Sequence, residues 1–124
     1  MKILVTAAGP KPAKDKAGYV MDIAKKLGAE VVALHISNEE DTTQGEETLK
    51  IFAEAGQQAN VNVIKILKKG DIIPNIVEAA DKESVALIIM GASPGKVADW
   101  ISAGVIEKVK IPVIIIPLEF KETL

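Results

Sequence analysis

The chain has 124 residues, an ordinary size for one domain, and 48% of them are hydrophobic against 26% charged, which excludes a disordered chain. It contains no Cys, so disulfides, thiolate metal sites and cysteine nucleophiles are all excluded, and an intracellular home is expected. All fifteen basic residues are Lys, the net charge is −2 and only four residues are aromatic, a composition that argues against DNA or RNA as a partner.

Ile3 to Ala7 is a continuous apolar run, as expected for a parallel strand covered on both faces, and Gly9, Pro10 and Pro12 end it. It superficially resembles the start of a signal peptide but is too short, so it reads as a buried first strand. A helix follows with Ala17, Val20, Met21, Ala24 and Leu27 on one face, closed by Gly28. Val31 to Ile36 is the second strand and Ser37 to Gly45 a polar loop. Leu49, Phe52, Ala53 and Gly56 mark a second helix. Val61 to Leu67 mixes alternation with a run, the pattern of a strand near a sheet edge. Asp71 is placed to cap a third helix that buries Ile73, Ile76, Val77 and Ala80 and tolerates Pro74 in its first turn.

Val85 to Met90 is the most hydrophobic strand. Gly91 to Lys96 forms a loop into a fourth helix carrying Val97, Ile101, Val105 and Val109. Val113 to Ile116 is the last strand, stopped by Pro117. The alternation predicts one α/β domain over residues 1–124: a doubly wound (Rossmann-like) five-stranded parallel sheet with helices on both faces, strand one central and helices one and four sharing a face. No run approaches the ~18 apolar residues of a membrane span, so a cytoplasmic protein without a membrane partner is expected.

In an open parallel sheet, ligands bind beyond the carboxyl ends of the strands, where the strand order reverses. Two loops are suited to bring backbone close to a ligand, Ala7 to Pro12 and Gly91 to Lys96, the second opening a helix N-terminus that favours an anion. Spacing alone favours glycines that only turn a tight connection. His35, the only histidine, reads as structural, and Ser93 has no base near it in sequence. Glu39, Glu40, Asp41, Glu46 and Glu47 read as a solvated loop rather than a cation site. Lys65, Lys68 and Lys69 solvate a strand end, and Trp100 lies off the fourth helix's apolar stripe, a hint of an interface.

Lys2-Ile3-Leu4-Val5, Ala24 to Glu30, Ala33-Leu34-His35-Ile36, Gly70-Asp71, Leu87 to Gly91 and Ile111 to Pro117, in that order and spacing, resemble the universal stress protein family nearly end to end. The resemblance implies strand order 3-2-1-4-5 and a homodimer paired through Val113, Ile114, Ile115 and Ile116. It also implies a non-enzymatic role in stress response or signalling, with an unknown protein partner. The family's nucleotide binders carry a Gly-x-x-Gly, nine residues, then Gly-Ser or Gly-Thr. By that resemblance an adenine nucleotide, ATP with Mg²⁺ or AMP, would meet Thr6, Ala7, Ala8, Ile36, Met90, Gly91, Ala92, Ser93, Gly95, Lys96, Gly104 and Val105.

The departures fall on polar contacts. Pro94 takes the middle glycine position, Val105 stands where a hydroxyl would hold phosphate, and Ala8 stands where an Asp would hold ribose. The expectation is weakened ATP or AMP binding, with a dimeric interaction module that binds no nucleotide as the alternative.

Overall fold

The computed structural model describes residues 1–92, 96–117 and Phe120, with the backbone alone of residues 96–100. Strands β1 (Lys2–Thr6), β2 (Glu30–Ser37), β3 (Val63–Lys69), β4 (Leu87–Gly91) and β5 (Val113–Ile116) alternate with helices α1 (Pro10–Leu27), α2 (Thr43–Ala59), α3 (Ile72–Lys82) and α4 (Lys96–Lys108). The strands form one parallel sheet in the order β3-β2-β1-β4-β5. Val5 sits at its centre, opposite Ala33 on β2 and Ile89 on β4. Ile3, Leu4 and Val5 are fully buried because both faces of β1 are covered, which is why the run is continuous rather than alternating.

The helices divide differently from the expected pairing of helices one and four. Ala13, Ala17, Val20 and Met21 of α1 pack with Leu49 and Phe52 of α2 on one face. On the other, Ile73, Ile76 and Ala80 of α3 pack with Val105 of α4. The physical reason is crossover handedness. From β1 through β2 to β3 the chain steps one way across the sheet, and from β3 through β4 to β5 it steps back, so right-handed connections put α1 and α2 together and α3 and α4 opposite.

Local chemistry adjusts several boundaries. Pro10 and Pro12 lie inside α1 rather than before it, in a first turn where no N–H is needed. Gly28 adopts φ +63°, and Ala29 N–H reaches Ala24 O at 2.8 Å, closing the helix with the left-handed turn that glycine permits. Leu27, expected on the buried stripe, is 48% exposed in the last turn of α1. Helix α2 begins at Thr43, within the segment read as loop. Asp41 accepts from the Thr43 hydroxyl and N–H, which hold its carboxyl below the usual range. Asp71 occupies the cap position of α3, but its side chain makes no capping bond; Asn75 Nδ2 instead donates to its carbonyl at 2.8 Å. Among the described residues no helix is long and apolar enough to cross a membrane.

Candidate functional site

Strands β1 and β4 are neighbours at the centre of the sheet, yet the chain leaves β1 toward one face and β4 toward the other. Their carboxyl ends therefore part around a crevice, the position at which open α/β sheets hold ligands. A cavity of about 400 Å³ lies there. Thr6, Ala7 and Ala8 line it from the end of β1, and Met90, Gly91 and Ala92 from the end of β4. Ile36 of β2, Ile72 and Ile76 of α3, and Ile101 of α4 give it apolar walls, with Ser102 as a hydroxyl on the α4 side. Phe120, turned back after β5, joins the lining and packs edge-on against Tyr19 of α1 with ring centres 5.0 Å apart.

Two buried side chains pin the end of β1. His35 is 6% exposed, with Nδ1 2.9 Å from the Ala7 carbonyl. A carbonyl can only accept, so Nδ1 carries the proton and the ring orients this backbone instead of facing the cavity. Lys16 is 5% exposed, and its Nζ donates to the Thr6 carbonyl at 3.0 Å while lining the cavity. Burial pulls its ammonium down from 10.5 to about 8. Gly91 makes room for it, because a Cβ at that position would stand 2.6 Å from Nζ and 3.3 Å from Cε. At the rim, Lys11 and Asp15 also line the cavity and pair with each other at 3.1 Å, both well exposed.

Of the residues singled out from sequence, Thr6, Ala7, Ala8, Ile36, Met90, Gly91 and Ala92 come together on this cavity. Gly104 and Val105 do not line it. Gly104 packs so closely on Ile73 that a Cβ there would collide with that side chain, and Val105 is wholly buried in the α3–α4 layer. Ile101 and Val105 share one face of α4 a turn apart: the cavity is lined by the turn carrying Ile101 and Ser102, and Val105, a turn further along, lies beyond it in the α3–α4 layer. Ser93, Gly95 and the side chains of Lys96 and Trp100 lie outside the described residues. The acidic segment is engaged locally, with Glu40 on Lys69 at 3.2 Å and Glu46 accepting from the Thr42 hydroxyl at 3.0 Å.

Sequence reasoning missed Lys16, Ser102 and Phe120. Only Lys16 had a clear signal, being a lysine three residues after Ala13 and four before Val20 on an otherwise apolar stripe.

No curated protein matches the chain. Among solved structures, it is similar to a universal stress protein from Archaeoglobus fulgidus, at 25% identity and a TM-score of 0.76, covering 94% of this chain and 98% of that one. A structure of the universal stress protein from the same organism in complex with dAMP is 24% identical, with a TM-score of 0.76 and coverage of 94% and 97%. A universal stress protein family member from Arabidopsis thaliana with AMP bound shares the fold at 16% identity, with a TM-score of 0.72 and coverage of 94% and 91%. The model of the Universal stress protein family matches residues 1–117, nearly the whole chain with its β1–β4 crevice, and the chain belongs to that family.

Proposed function

We propose that the cavity holds an adenine nucleotide and that the protein is a nucleotide-responsive, non-enzymatic module of stress response or signalling. In this reading it works in the cytoplasm as a homodimer paired through β5, and Mg²⁺ accompanies the nucleotide only when that is ATP. The observation that carries the reading is the cavity itself. It is about 400 Å³, walled by Ile36, Ile76, Met90 and Ile101, and carries few polar groups, at the switch point of the sheet. The relatives bound to dAMP and AMP lend support from proteins of the same fold.

Purified protein denatured and analysed by mass spectrometry should release an adenine nucleotide, or the nucleotide-free protein should titrate with AMP or with ATP and Mg²⁺ in a calorimeter. If neither happens with folded protein, the nucleotide reading fails. The alternative, a dimeric interaction module without nucleotide, draws on one observation: Ala8 meets the cavity without a polar group, and Val105 does not meet it at all.

A further inference from the structure

We propose that Lys16 is the anion receptor of this cavity: the nucleotide held there sets a phosphate oxygen against Nζ, at the ends of β1 and β4. The identity of the ligand rests on the nucleotide reading above; its negative charge at this position rests on the lysine. A lysine ammonium has three donors, and the Thr6 carbonyl takes one. Among the described residues nothing accepts from the other two, and no carboxylate neutralises the charge. Such a cation in an apolar enclosure is costly unless an opposite charge joins it. Glycine at position 91 keeps the space beside Nζ open to the cavity.

Lys16 belongs to α1, not to the loop before α4 where the sequence pattern directs attention. The site therefore holds its anion from the α1 side of the crevice as well. The depressed ionisation of the free lysine adds a signature. An oxyanion on Nζ favours the charged form, so binding takes up a proton at pH values near and above about 8. The titratable groups facing Lys16 among the described lining residues are Lys11 and Asp15, which are paired with each other at the exposed rim.

The test compares AMP, adenosine and ribose 5-phosphate on the whole protein and on Lys16→Met and Lys16→Gln, with folding checked by thermal melting. AMP should bind more tightly than adenosine. Both substitutions should cost AMP about ten- to a hundredfold in affinity, the worth of a hydrogen bond to a charged group, while adenosine changes by less than about twofold. Calorimetry at about pH 8.5 in two buffers of different ionisation enthalpy should show net proton uptake with AMP, absent in both variants. AMP affinity unchanged in the variants, with no proton uptake, overturns the role of Lys16 and leaves the nucleotide reading standing. Lys16-dependent binding of ribose 5-phosphate with no added affinity from adenine does the reverse: the anion receptor stands and the adenine reading falls.

Discussion

A lysine with an aliphatic stem can lie along an apolar helix face at little cost; its ammonium cannot, and at Lys16 the ammonium is buried too. The unfolded chain holds this proton up to about 10.5 and the folded chain only to about 8. Folding therefore releases a proton between those values, and stability rises with pH across that window. Below about pH 8 the penalty for the buried charge is fully present. Lys16→Met, which keeps the stem and removes the charge, should accordingly raise stability at pH 7 by about 1–3 kcal/mol after the lost bond to Thr6 is subtracted. The gain should shrink toward pH 10.5, a trend that urea melts at several pH values will show; a gain independent of pH would mean the charge is not the cause. Val105 gives the opposite case. It is wholly buried away from the cavity, so Val105→Ser should cost about 1–3 kcal/mol and leave AMP affinity within about twofold, by melting and by titration.

Among the elements, the two sheet edges differ. Strand β3 ends in lysines, with Lys65, Lys68 and Lys69 among seven residues, which discourages pairing with another chain. Strand β5 is Val-Ile-Ile-Ile at the other edge. Ile116 turns into its own core and the cavity lining, whereas Ile115 is 38% exposed, so Ile115 is the side chain presented outward. Pairing of β5 with a two-fold related copy would cover this edge, and Ile115→Lys should yield monomers where the unmodified protein sediments as a dimer at about ten micromolar. Unmodified protein that sediments as a monomer rejects the pairing.

The same elements show what sequence can carry. The central strands β1, β2 and β4 were legible because strands covered on both faces are largely aliphatic runs, and β3 could be placed near an edge because its run is broken by alternating polar residues such as Lys65. The face taken by each helix could not be read from its apolar stripe, which shows the buried side of a helix but not the face of the sheet that buries it; strand order together with right-handed crossovers decides that. Thr6 to Ala8 and Met90 to Ala92 were legible as site because strand ends meet at a switch point. Ser102 was not, because which turn of α4 reaches the cavity, that of Ile101 and Ser102 or that of Gly104 and Val105, depends on where the helix starts and how it docks on the sheet, which residue spacing does not encode.

Across the whole molecule, the cavity is where the two helical layers meet through the sheet. Lys16 comes from the α1–α2 layer, Ile72, Ile76, Ile101 and Ser102 from the α3–α4 layer, and Thr6 and Gly91 from the central strands between them. A ligand in it touches both layers at once and should lock their relative position, whereas β3 and the far end of α2 contribute nothing to the lining. Binding to the native state at a hundred times the dissociation constant adds about 2.7 kcal/mol of global stability, which slows exchange of amides that open only by complete unfolding. Amides that exchange by local opening report contact instead. With AMP bound, hydrogen exchange should slow at Thr6 to Ala8, at Met90 to Ala92 and in the first turns of both α1 and α3, beyond any change in Val63–Lys69. Slowing confined to α4 would place the ligand on one layer only. Equal slowing of locally opening amides in β3 and α2 would mean that the nucleotide stabilises the protein without bridging its layers, and the bridging role of the crevice would be rejected.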